Sequence, residues 1–174
     1  KAMVIRHTEL KKMEQLYEKN GNQLVLLYGR EGCDKEALIR IFCKGKKFFY
    51  YRARKASMQE QCMQFGQEIE KQYDLSLTKY TYAEFFNRIR SGDASKLIVI
   101  IDEFQYIAKR DEEFLKAVIK LKTKKLYPGP VMILLASSSV AWMEQELDEQ
   151  LGDSVKRVDE RIKLDDLKFL DVVR

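Results

Sequence analysis

Leu97-Ile98-Val99-Ile100-Ile101-Asp102-Glu103 is the stretch that decides how this chain folds. An unbroken apolar run of this length, most of it β-branched, has the make-up of a strand and is too short for a helix of its own. A strand with one wet face alternates apolar and polar residues. A continuous run belongs in a parallel sheet with helices over both faces. Two acids follow at once. In open parallel sheets ligands sit outside the carboxyl ends of the strands, so these carboxylates arrive where chemistry is expected.

Similar runs recur along the chain. Gln23 to Tyr28 and Val131 to Ala136 are strongly apolar, Phe48 to Tyr51 is a shorter aromatic strand, and Arg161 to Leu164 reads as a fifth. Helical patterns separate them. One spans Thr8 to Lys19 and is stopped by Gly21 and Asn22, and another carries Leu38, Ile39 and Phe42. Ser57 with Glu60, and Thr81 with Glu84, have capping-box spacing ahead of two more. Asp111 is placed to cap Glu112 to Lys125, and Val140 to Gln150 reads as a last helix. Alternating strands and helices predict an α/β fold of three layers. Its parallel sheet has about five strands, with helices on both faces and right-handed crossovers.

The first strand leads into Gly29-Arg30-Glu31-Gly32-Cys33-Asp34-Lys35-Glu36. Strand, glycine-containing turn and helix is the layout of a phosphate-binding P-loop, whose pattern is G-x-x-x-x-G-K-[ST]. There the backbone amides wrap phosphate, the lysine reaches the terminal groups, and the hydroxyl meets Mg²⁺. Gly29 and Lys35 match, and Gly32 adds a second flexible position. Asp34 stands where the pattern has its second glycine, and Glu36 where it has Ser or Thr. At ~4 Å two like charges repel by about 4 kcal/mol at an effective dielectric of ~20. Both acids therefore oppose a polyanion, although Glu36 has the oxygens to ligate Mg²⁺. At the other strand end, Asp102 is the candidate Mg²⁺ ligand and Glu103 the candidate general base. Ser137 and Ser138 close the fourth strand and are candidates to touch a terminal phosphate or water.

The chain of 174 residues suits one domain, 1–174. Its 34% charged content fits a folded surface, and no apolar run approaches the ~18 residues of a membrane span. Nothing near the start resembles a signal peptide, so a cytoplasmic chain without membrane partners is expected. Cys33, Cys43 and Cys62 lack metal or disulfide spacing and read as reduced thiols. The net charge of +5 permits a nucleic-acid partner without identifying one. Lys116, Lys120 and Lys124 recur every four residues, and a solvated helix face explains them.

Taken together these elements resemble the archaeal-type ATPase family, in the AAA-like, STAND-related branch of P-loop ATPases. The resemblance is carried by Arg6 to Leu10, Leu26-Leu27-Tyr28-Gly29-Arg30, Lys35 and Phe49-Tyr50-Tyr51. It continues through Ile100-Ile101-Asp102-Glu103-Phe104-Gln105-Tyr106, Leu135-Ala136-Ser137-Ser138 before Met143, Arg161, and Leu164 to Asp171. It implies that Lys35, Asp102 and Glu103 inherit the binding and cleavage of MgATP, with a sensor-like role for Ser137 or Ser138. It also implies a longer protein, with a helical lid and a winged-helix or nuclease-like region as the C-terminal partner. Set against the altered loop, the expected function is a domain that binds ATP and Mg²⁺ weakly and hydrolyses little or nothing. The alternative is a nucleotide-free scaffold for protein partners, in which Asp34 and Glu36 pair with Lys35 and Arg30. An active MgATPase and a DNA-binding module rank below both.

Overall fold

The apolar runs become β1 (Gln23–Tyr28), β2 (Phe48–Arg52), β3 (Leu97–Asp102), β4 (Val131–Ser137) and β5 (Glu160–Lys163). In the computed structural model, which describes residues 6–166, they form one sheet in the order β2-β3-β4-β1-β5. Every pairing is parallel. Because β4 lies between β1 and β3, the registers Tyr28↔Ser137 and Asp102↔Ala136 level three strand ends. The loop after β1, the acids of β3 and the serines of β4 thus share one edge.

The helices are α1 (His7–Glu18), α2 (Lys35–Cys43), α3 (Met58–Tyr73), α4 (Tyr82–Arg88), α5 (Gln105–Ala108), α6 (Glu112–Thr123), α7 (Val140–Gln145) and α8 (Leu147–Leu151). Alternate strand residues serve opposite layers. Val25, Leu27, Ile98, Ile100, Met132 and Leu134 pack with Met13 and Leu16 of α1 and Leu38, Ile39 and Phe42 of α2. Leu24, Leu26, Val99, Ile101, Ile133 and Leu135 pack with α3, α4 and α6 on the other side. The expected three layers are therefore present, and the dry central strands follow from being covered twice. Phe65 of α3 centres the second layer, with ring centroids 4.5 Å from Tyr51, 5.4 Å from Tyr82 and 5.5 Å from Phe85.

The caps read from the sequence are formed. Ser57 accepts from the amide of Glu60, Thr81 from Glu84, and Asp111 from Glu113. Two details differ from the expectation. Val140 to Gln150 is two helices, because Glu146 leaves the α basin at φ −123° without a Gly or Pro to mark the break. Asn22 does more than end α1: its Nδ2 donates to the carbonyls of Lys122 (3.1 Å) and Lys124 (2.6 Å), and its Oδ1 accepts from Val131 N–H at 2.9 Å. One side chain thus ties the end of α6 to the start of β4.

Lys96 plays a similar role at the opposite edge from the strand-end acids. Its buried ammonium donates to the carbonyls of Tyr17 (2.9 Å) and Lys19 (2.5 Å) and to Gln23 Oε1. These carbonyls belong to the last turn of α1 and its C-cap, which lack helical partners of their own. Lys96→Met would leave the acceptors unfilled inside the protein. The expected loss is about 2–3 kcal/mol of stability, read from the urea midpoint.

Candidate strand-end site

Gly29 is forced by its surroundings. A Cβ there would lie 2.6 Å from the Leu164 carbonyl oxygen and 2.9 Å from Cys33 Sγ. Its N–H donates to Ser137 O at 3.2 Å, which holds the loop against β4. Gly32 has φ +85° with open space about it, so its glycine serves torsion and not packing. Asp34, in place of the pattern's second glycine, still adopts the left-handed conformation at φ 60°, ψ 32°. Aspartate is among the few residues that tolerate this region. Asp34 thus combines a torsion that glycine adopts freely with a carboxylate. Cys33 is buried beside it, and burial pushes its thiol pKa up against the opposing pull of Lys35. That fits an inert loop residue.

Lys35 opens α2 and is only 2% exposed. Its Nζ lies 3.6 Å from Glu36 Oε1, and the same oxygen lies 3.7 Å from Arg52 Nη1. Burial pushes the Glu36 carboxyl pKa up, but its own backbone N–H, Lys35 and Arg52 outweigh burial and leave it lowered. Exposed amides and a cation at a helix N-terminus make an anion site. The Glu36 carboxylate lies beside both cations at the start of α2. Among the described residues the second cation at Glu36 is Arg52, while Arg30 Nη1 lies 3.6 Å from Asp166.

Asp102 is wholly buried at the end of β3. Its Oδ2 accepts from Tyr50 Oη at 2.7 Å, and its Oδ1 from the Glu103 N–H at 2.9 Å. Burial, then this bond to Asp102, push the Tyr50 phenol pKa up. Arg52 pairs with Asp102 in sheet register. Burial alone would lower the Arg52 pKa, yet Asp102, Tyr50, Glu103 and Glu36 together leave it raised. Arg52 therefore links the loop acid to the strand-end acids.

Glu103 takes φ 55°, uncommon for a long side chain. Its carboxylate accepts from the Ser138 N–H and the Ser138 hydroxyl, both at 2.7 Å, and from Gln105 Nε2 at 3.3 Å. The Ser137 hydroxyl donates to Gln105 Oε1 at 2.7 Å and accepts from the Ser139 N–H. Asp102, Glu103, Ser137 and Ser138 are thus one network, and Lys35, Glu36 and Arg52 a second beside it. Among the described residues no group of three or more His, Cys, Asp and Glu could hold a metal ion. A Mg²⁺ at Asp102 would take most of its ligands from phosphate and water, as Mg²⁺ commonly does. The residues present fit that arrangement.

Tyr50, Arg52 and Gln105 were not singled out as site residues from the sequence. For Arg52 the signal was there: it ends β2 at the same sheet edge as Asp102, and the strand-end rule applies to every strand. One concavity lies away from the site, between α3, α4 and α6, and another beside α2 and β2 reaches it through Glu36 and Tyr50. Among the described residues, no helix is long and apolar enough to cross a membrane. Of the Leu164 to Asp171 stretch, residues 167–171 lie outside the described residues, as do 1–5.

Comparison with known structures agrees with this architecture. The chain is similar to the Aeropyrum pernix ORC1 protein, solved in complex with DNA, at TM-score 0.66 and 18% identity over 97% of this chain and 47% of that one. It is similar to the Aeropyrum pernix ORC2 protein, solved as ADPNP–ADP complexes, at TM-score 0.63 and 15% identity over 94% and 48%. A Walker-type ATPase of Pyrococcus abyssi gives TM-score 0.61 and 17% identity over 97% and 55%. At these identities the likeness concerns the fold. In sequence, an uncharacterized protein of Methanocaldococcus jannaschii is 21% identical over 166 residues, 95% of this chain and 36% of that protein. The chain spans roughly a third to a half of the length of these relatives. A sequence profile described as an ATPase domain predominantly from Archaea matches residues 3–174. The chain therefore belongs to this family of P-loop ATPase-type domains.

Proposed function

We propose that this domain binds MgATP weakly, and hydrolyses little of it, because Glu36 competes with phosphate for the loop's own anion site. The supporting observation is the Glu36 carboxylate, 3.6 Å from Lys35 and 3.7 Å from Arg52. A nucleotide must displace or neighbour that charge. With the carboxylate swung aside, the Gly29 to Lys35 backbone and the Lys35 ammonium would hold phosphate, and Asp102 would supply one oxygen to Mg²⁺. The cation would neutralise charge on the phosphates.

Hydrolysis has a second obstacle. A general base must present its carboxylate to a water. Both Glu103 oxygens already accept hydrogen bonds from Ser138. Slow phosphate release follows, at a rate expected below about 10⁻² s⁻¹ against the 1–10³ s⁻¹ common among enzymes. The test is steady-state phosphate release from MgATP at high protein concentration. A rate near 1 s⁻¹ that disappears in Glu103→Gln would contradict the proposal and make Glu36 a working Mg²⁺ ligand.

A nucleotide-free scaffold is the second reading. It is favoured by Glu36, which gives both Lys35 and Arg52 an ion-pair partner within the protein itself. The two readings part on nucleotide binding alone.

A further inference from the structure

The Arg52 guanidinium stands at the strand-end site with its donors unused. The side chain is 50% exposed, and among the described residues its one ion-pair contact is the 3.7 Å approach to Glu36 Oε1. That distance is too long for a hydrogen bond. A guanidinium carries five N–H donors in a planar fork. Arg6 and Arg90 commit theirs to the fold, donating to Cys33 O at 3.1 Å and Phe86 O at 2.8 Å. Among the described residues the Arg52 side chain makes no hydrogen bond of that kind. Nearby acids keep it at the site, and its fork is left unfilled.

Strand order says which part of a ligand that fork would meet. From β1, which carries the loop, the edge runs through β4 and β3 to β2. Asp102 ends β3, and Arg52 pairs with it in register on the side away from β1. One Glu36 oxygen lies 3.6 Å from Lys35 Nζ and 3.7 Å from Arg52 Nη1, so a single small anion can meet both cations. In a P-loop the amides cradle the inner phosphates and the lysine reaches the outer ones. A Mg²⁺ at Asp102 would bridge the last two. The terminal phosphate is therefore the one that arrives at Arg52.

We propose that Arg52 reads the terminal phosphate, leaving Glu36 to grip it, and so makes the site prefer a nucleoside triphosphate to a diphosphate. This rests on the nucleotide-binding reading above. When Glu36 swings aside, Arg52 loses its ion-pair partner, and phosphate offers it negative charge on several oxygens. A planar fork can meet phosphate through two parallel hydrogen bonds, which an ammonium group cannot. The same positive charge offsets part of the repulsion from the Asp34 and Glu36 carboxylates. A diphosphate ends short of Arg52 and gains little from it.

The test is calorimetric titration with MgATP and MgADP of the Asp34→Gly plus Glu36→Thr domain, with and without Arg52→Gln. Glu36 is absent from that background, so Arg52 cannot act there merely by holding it. Arg52→Gln should weaken MgATP by about tenfold or more, as loss of a hydrogen bond to a charged group does, and MgADP by less than about threefold. Arg52→Lys should recover part of the difference, since it keeps the charge without the fork. The ratio of the two affinities within one protein is insensitive to a small change in stability. Equal losses for both nucleotides would overturn the inference and make Arg52 a residue that only shapes the site. Unchanged MgATP affinity in Arg52→Gln would also overturn it, while the nucleotide site itself would stand. Binding of neither nucleotide, with Arg52 present, would remove the proposed nucleotide site and this inference with it.

Discussion

Replacing Asp34 with Gly and Glu36 with Thr together should tighten MgATP binding by about two to three orders of magnitude. The estimate comes from removing like-charge repulsion of about 3–4 kcal/mol at the phosphates. The backbone is already prepared, because Asp34 holds the left-handed torsion that glycine adopts freely. Thr at 36 removes the carboxylate now lying between Lys35 and Arg52 and restores a hydroxyl for Mg²⁺. The same change leaves buried Lys35 without its 3.6 Å partner, so the ligand-free variant should be slightly less stable. Glu36 is half exposed, which limits that pair to about 1 kcal/mol or less. Calorimetric titration of both proteins with MgATP checks the prediction. Equal affinities would mean that Glu36 does not compete for the loop.

Phe65→Ala should produce the largest loss of stability, about 3–5 kcal/mol. The ring is fully buried and meets Phe49, Tyr51, Tyr82, Phe85 and Phe86. Neighbours from β2 and α4 converge on this α3 residue, so the cavity cannot close by one side chain shifting. The consequence reaches the site. Phe49 and Tyr51 alternate along β2 with Tyr50 and Arg52, which hold Asp102 and Glu36. Urea unfolding gives the stability change. A loss below about 1 kcal/mol would show that the layer repacks, as adaptable cores do.

The sheet was legible in the sequence wherever a strand was dry on both faces. Leu97 to Ile101 and Leu24 to Leu27 announce themselves because helices cover them twice. Strand order was not legible: nothing in Val131 to Ala136 says that it lies between the other two. That placement is set by crossovers and by the packing of whole layers. The acids at 102 and 103 stood out because they follow an apolar run. Arg52 did not, since β2 is a short aromatic edge strand whose end has no such contrast. Gln105 was hidden in a different way. Its contact with Ser137 joins residues 32 apart in sequence, and only the register of β3 against β4 brings them together. The substitution at Asp34 also reads differently in three dimensions. A missing glycine suggests a missing left-handed torsion, yet Asp34 adopts one at φ 60°.

Thermal unfolding with and without ~10 mM MgATP tests the central claim most directly. A site with Kd of about 1 mM would add about 1.4 kcal/mol at that concentration. For a chain of this size that corresponds to a rise of about 3–6 °C in the midpoint, and Lys35→Ala should abolish it. No shift at any nucleotide concentration, or an equal shift in Lys35→Ala, would contradict a retained nucleotide site. The fold would then be one in which Glu36 has permanently taken the place of phosphate.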